Sequence, residues 1–238
     1  MTAKELKASI LDRAIRGALV PQDPRDEPAS ALVARIRKER AAASARHGGR
    51  ARRPATAAPP LIPDDEKPFD IPKSWQWVRL GEVLEPMTSK KPSGERFDYI
   101  DIDAIDNKAN VVREIKTLPT QGATSRASRE VRENDVLFSI VRPYLRNIAI
   151  IDKEHAHCIA STGFYVCRPT EVFNSRYLYW LMLSDYVVSG LNQFMKGNNS
   201  PSITTKDIVD YPIPLPPLAE QGRIVAKVEA LRAALARL

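Results

Sequence analysis

The chain has 238 residues, is 43% hydrophobic and 27% charged, and carries a formal net charge of +7. That length holds one domain of ordinary size with appendages, and the apolar fraction is enough to build a core. No apolar run reaches the roughly 18 residues of a membrane span, and the first residues alternate charges with single apolar groups, so neither a spanning segment nor a secretory signal is expected, and a cytoplasmic location is.

The positive charge is uneven: residues 1–53 hold 13 of the 36 Lys and Arg but only 6 of the 29 Asp and Glu, leaving the remainder balanced. A basic excess suits a polyanionic partner. It equally describes a solvated tail.

In chain order, residues 3–19 read as a helix with Leu6, Ile10, Leu11, Ile15 and Leu19 on one face, ending before Pro21. Pro28 opens a second helix whose apolar face is Leu32, Val33 and Ile36, with Arg35, Arg37, Lys38 and Arg40 expected to point away. Residues 41–68 are rich in Ala, Arg, Gly and Pro and hold His47. They bury too little to order themselves and read as a linker. A compact domain is expected over 69–215. Its strands are Trp75 to Leu80, Tyr99 to Asp103, Val111 to Ile115, Val136 to Val141, Ile148 to Ile151 and Ile159 to Val166. From Ser175 to about Met195 the apolar period becomes helical, behind an Asn174 or Ser175 cap. The final segment, 216–238, starts on Pro216-Pro217, positions that cost a helix nothing. Gln221, Ile224, Val228, Leu231, Leu235 and Leu238 then follow at spacings of 3 and 4, a narrow seam that needs a partner helix.

Catalytic signatures are sparse. There is no glycine-rich phosphate loop. His155, His157 and Cys158 sit within four residues without a second cluster to complete a metal site. Neither a metal nor a cofactor is expected. Asp101 and Asp103 would share one face of a strand, as a two-metal nuclease requires and as an exposed strand edge equally explains. Cys158 and Cys167 read as buried thiols of a reducing compartment. Trp75, Trp77 and Trp180 have apolar neighbours and read as core. Basic and amide side chains in predicted loops carry more. Lys90, Lys91, Arg126, Arg129, Arg142, Tyr144, Arg146, Lys196, Asn198, Asn199 and Ser200 have the chemistry to bind phosphate or read bases, and each is equally explained as a solvated loop side chain.

Several segments in this order carry a resemblance: Trp75-Gln-Trp-Val-Arg-Leu-Gly-Glu-Val83, the run Asn134 to Asn147, Ala160-Ser-Thr-Gly-Phe164, and Pro214-Leu-Pro-Pro-Leu-Ala-Glu-Gln221 with Arg223-Ile-Val. Together with the N-terminal stretch Leu6 to Pro24, they resemble the specificity subunit of type I restriction-modification systems. The resemblance implies an α/β (α+β) fold in which a β-rich target recognition domain is flanked by N- and C-terminal helices of a coiled-coil spacer. Residues 1–40 would be the end of one conserved helical region and 216–238 the start of the next, truncated. Leu6, Ile10, Ile224, Val228, Leu231 and Leu235 would be the partner-facing residues. The family pattern has two recognition domains, so the chain resembles half of a subunit, either a gene fragment or a half-size form that pairs with a copy of itself or with a second half-subunit. The implied function is non-catalytic recognition of a split site in double-stranded DNA, on behalf of methyltransferase (M) subunits and, through the complex, a restriction (R) subunit. Under this resemblance the loop residues from Lys90 to Ser200 would be the DNA-facing ones, with Arg and Lys chiefly on phosphates and Asn198 or Asn199 nearest to bases. An assembly protein without DNA readout and a nuclease on Asp101 and Asp103 are the competing functions.

Overall fold

The first helix, α1 (Ala3–Ile15), starts on a reciprocal cap: Thr2 Oγ1 accepts from the Glu5 amide, and the Thr2 amide donates to Glu5 Oε2 at 2.7 Å. It stops short of the expected residue 19. Gly17 turns the chain at φ +72°, so close to the domain that a Cβ there would lie 2.4 Å from Pro72 Cγ. The structure, a computed structural model, describes residues 2–46 and 62–237. The middle of the expected linker, 47–61 with His47, and Leu238 at the end of the seam lie outside the described residues.

The second helix, α2 (Ala29–Arg46), runs into the segment expected as linker. Leu32, Val33 and Ile36 are buried as their spacing predicts. Arg35 and Lys38 are exposed as expected, but Arg37 and Arg40 depart from expectation. Arg37 pairs with Glu82 at 2.8 Å, and Arg40 donates to the carbonyls of Gly81 and Leu84, because α2 lies along the domain and brings its basic side chains over those groups. Ile62, expected in the linker, is buried.

Twelve strands follow among the described residues: β1 (Gln76–Arg79), β2 (Leu84–Glu85), β3 (Arg96–Ile100), β4 (Ile105–Asp106), β5 (Val111–Val112), β6 (Lys116–Pro119), β7 (Ala127–Glu130), β8 (Val136–Ser139), β9 (Ile148–Ile150), β10 (Ile159–Ser161), β11 (Phe164–Pro169) and β12 (Pro212–Leu215). Two four-stranded sheets carry the domain, in the orders β2-β11-β8-β9 and β6-β3-β10-β7. All neighbours in the first are antiparallel, while β3 and β10 pair parallel in the second. β1 and β12 form a separate antiparallel pair, as do β4 and β5.

The first sheet is covered on both faces. Val136 and Phe138 of β8, with Tyr165 and Cys167 of β11, face the helices. Leu137, Phe164 and Val166 face the second sheet, where they meet Ile100 and Ala160. That is why β8 and β11 read as unbroken apolar runs. The expected strand Ile159 to Val166 is two strands, since Thr162-Gly163 carries the chain from one sheet to the other. The strand expected over Val111 to Ile115 is only β5, with β6 beginning at Lys116.

The expected helix from Ser175 is also two: α3 (Ser175–Leu183), capped by Asn174, and α4 (Asp185–Asn192), capped by Ser184. Ser184 breaks the run with its side chain, which donates to the Leu181 carbonyl and accepts from the Val187 amide. After the short α5 (Thr205–Val209) and β12 comes α6 (Leu218–Leu235), started by its prolines. Ile224 and Val228 are fully buried, and α6 packs on α1 and α3 of the same chain. The seam therefore finds its helices internally. Leu6, Ile10, Leu231 and Leu235 are half-buried. The fold is a mixed helix and sheet structure in which the terminal helices share one core with the first sheet.

Candidate nucleic-acid interface

A row of backbone hydrogen bonds crosses one end of both sheets. The Thr162 amide donates to Arg126 O at 2.8 Å, Ile140 N to Gly163 O at 2.9 Å, Ile203 N to Ile140 O at 2.9 Å, and Arg142 N to Pro201 O at 2.8 Å. The start of β7, the β10–β11 turn, the loop after β8 and the loop 196–203 are thus knitted into one edge. Three segments that sequence reading chose separately, around Arg126, Arg142 and Lys196, are brought together.

The 196–203 loop is closed at its base. Lys196 and Ser202 exchange both backbone hydrogen bonds at 2.9 Å, and Gly197 turns the chain at φ +96°. Asn198, Asn199 and Ser200 form its exposed tip. Arg142 joins this loop by donating from Nη2 to Asn199 O at 2.7 Å. The acceptor is neutral, so no carboxylate offsets the guanidinium there. Tyr144, at the top of the neighbouring turn, is 46% exposed.

The remaining candidates follow β7. Lys90 N donates to Ser128 O and Glu130 N to Thr88 O, which lays residues 88–90 alongside β7 with Ser89 opposite Arg129; Arg129 itself is half-buried. Arg126 stands over Gly163, whose added Cβ would lie 3.1 Å from Arg126 Nη2. Lys90 also lines a cavity of about 250 Å³ with Ser93, Arg96, Asp98, Thr117 and His157. In that cavity Asp98 accepts from Thr117 Oγ1 at 2.6 Å and meets His157 Nε2 at 2.8 Å, contacts that hold its carboxyl below the usual range.

The state of the charges sorts the candidates. Among the described residues Lys90, Lys91, Arg126, Arg129, Arg142 and Lys196 have no carboxylate in ion-pair contact. Arg146 is different. Its guanidinium donates to Leu183 O at 2.6 Å and pairs with Asp185, so it ties the turn to α3 and α4. Sequence reading also passed over Leu145, 41% exposed between Tyr144 and Arg146, and Phe194, 45% exposed at the root of the 196–203 loop. The signal for Leu145 was a large apolar residue inside a short Pro and Arg turn.

The two carboxylates of the nuclease alternative are separated in role. β3 ends at Ile100, Asp101 caps a short 3-10 turn by accepting from Ile102 N, and Asp103 pairs with Lys116 at 2.5 Å. They do not share a strand face. No cluster of three or more His, Cys, Asp or Glu able to hold a metal occurs among the described residues. His155 is bound to Asp152, and burial pushes the Cys158 thiol up to about 11. Both cysteines are free and buried, and Trp75, Trp77 and Trp180 are core.

The opposite end of the domain is sealed where α6 begins. Glu220 is fully buried, accepting from Trp75 Nε1 at 2.9 Å and from Gln22 Nε2 at 2.6 Å. Gln221 is equally buried: its Oε1 accepts from Asn174 N, and its Nε2 donates to the carbonyls of Val172 and Pro216. The segment from Pro214 to Gln221 is therefore a plug into the domain.

The family described as "Type I restriction modification DNA specificity domain" matches residues 72–237, which takes in the plug, the sheets and every loop of the candidate interface. The chain belongs to that family. It is 31% identical over 237 residues to the type I restriction enzyme EcoAI specificity subunit of Escherichia coli, covering 95% of this chain and 39% of that one. It is 28% identical over 235 residues to the EcoEI specificity subunit of the same organism, covering 96% and 39%. Among solved structures, the HsdS subunit from Thermoanaerobacter tengcongensis superposes with a TM-score of 0.66 at 41% identity, over 72% of this chain and 45% of that one. The chain spans about two-fifths of the length of these curated relatives. No helix of the described residues is long and apolar enough to cross a membrane.

Proposed function

We propose that this chain is a non-catalytic recognition module that reads one half of a split target in double-stranded DNA for a type I restriction-modification complex. The observation that carries this is the sheet end at which Arg126, Arg142 and Lys196, none with an ion-pair partner among the described residues, are knitted to the amide tip Asn198-Asn199. Cations without internal carboxylate partners are free for phosphates and set register, while amides at a protruding tip suit base edges. Lys90, Lys91 and Arg129 extend the phosphate track along β7, and Ser200 and Tyr144 complete the contact surface. Arg146 serves by holding the turn in place.

The half-exposed end of the α6 seam, Leu231 and Leu235 with Leu6 and Ile10 of α1, is offered as the docking surface for a methyltransferase subunit, through which a restriction subunit joins. The second half-site requires a second recognition module, in a longer polypeptide, a second copy of this chain or a separate half-subunit. The work of such a module is in the cytoplasm, where the DNA is.

The test is co-purification with the methyltransferase subunit, followed by methylation mapping on genomic DNA. One split motif is the expected result. A stable complex that methylates without any motif would leave an assembly protein as the better description.

A further inference from the structure

The turn between β8 and β9 holds two large apolar side chains out of the protein. Among the described residues five large apolar side chains are exposed, and Tyr144 and Leu145 are adjacent members of that set. They sit in a single 3-10 turn, Pro143–Leu145, flanked by Arg142 at φ 48° and Arg146 at φ 56°. The left-handed region disfavours any side chain with a Cβ. A surface turn has no need of two such residues unless its shape matters.

The turn is also rigid. Leu145 N donates to Arg142 O and Arg146 N to Pro143 O, both at 2.9 Å. Pro143 is buried beneath. Arg142 is fastened to the 196–203 loop, Arg146 to α3 and α4, and Asn110 Nδ2 donates to Arg146 O at 3.0 Å. Two apolar side chains are thus presented at fixed height beside a cation without a carboxylate partner among the described residues. Apolar side chains on a braced turn beside a phosphate-binding group are the chemistry of a wedge inserted between stacked bases.

We infer that Tyr144 and Leu145 form a wedge that enters a base step of the bound duplex and unstacks it, so that part of the sequence preference is read as deformability. This rests on the proposed DNA-reading function. The occupant is duplex DNA because the cations of the same edge, Arg142, Lys196 and Arg126, complement a polyanion and would repel a basic protein surface.

The test uses the full chain with its methyltransferase subunit. A bound sequence is selected from random duplexes, then remade with 2-aminopurine at successive positions. For the unmodified chain, fluorescence should rise several-fold at one step. In the Tyr144→Ala/Leu145→Ala double variant the rise should vanish and affinity should fall about 10- to 100-fold, with the salt dependence unchanged. Tyr144→Phe should retain the rise, and matching circular dichroism and thermal melting would show that the double variant is folded. Absence of a rise at every position, or a folded double variant that keeps both rise and affinity, overturns the wedge. Failure of the unmodified chain to select any sequence overturns the DNA-reading function and the wedge with it, which is distinct from selective binding that ignores the turn.

Discussion

The plug at the root of α6 and the loop end of the sheets are made of the same kinds of residue, and they do opposite things. At the plug, Glu220 and Gln221 are buried, with Trp75, Gln22, Asn174, Val172 and Pro216 as partners. At the loop end, Arg142, Asn198 and Asn199 are exposed, and the Arg142 guanidinium donates to a neutral carbonyl. A polar side chain whose bonding is completed inside the chain specifies the fold; one held in place with capacity to spare is available to a ligand.

Substitutions should separate the two ends. Gln221→Ala would strand the Asn174 amide and two carbonyls in the interior, a loss of about 2–4 kcal/mol. Urea unfolding should show it, with DNA affinity unchanged under conditions where the variant is folded. A smaller effect is expected from the neighbouring carboxylate. Burial raises the Glu220 pKa above its ordinary 4.5, against the Trp75 and Gln22 hydrogen bonds that act to lower it. The folded chain therefore holds a proton that the unfolded chain has released. Glu220 costs stability as pH rises from 4.5 through the folded-state value, and nothing further above it. Glu220→Gln should remove that slope, visible as a difference between the two proteins in stability measured from pH 4 to 8. At the loop end, Arg142→Ala should change stability by less than about 0.5 kcal/mol, yet reduce the slope of log affinity against log salt by about 1. A large stability loss there, or none at the plug, would collapse the distinction.

Sequence reading recovered those parts of the fold whose physics is local. The apolar run at 136–141 marks β8, buried on both faces, and Pro216-Pro217 marks the start of α6, while the run at 159–166 marks buried strand but not its division between β10 and β11. β6 and β7 escaped because they are the outer strands of their sheet, and of β7 only Ala127 is buried. β12, Pro-Ile-Pro-Leu, was hidden by prolines that a two-stranded pair tolerates. The candidate interface was legible as residue types in loops and illegible as commitments. Nothing near Arg146 in sequence shows that its guanidinium is taken by Leu183 and Asp185, 37 and 39 residues on. Arg37 and Arg40, expected to face solvent, reach groups more than 40 residues away because α2 packs on the domain.

The measurement closest to the central claim is methylation mapping with the Asn198→Ala/Asn199→Ala variant beside the unmodified chain, each with its methyltransferase subunit. The account predicts continued methylation with a motif that becomes degenerate at one or two positions of each half-site this chain reads, the remaining positions keeping their identity. An active variant whose motif is unchanged at every position would contradict it, and would remove base reading from the loop that ends the sheets.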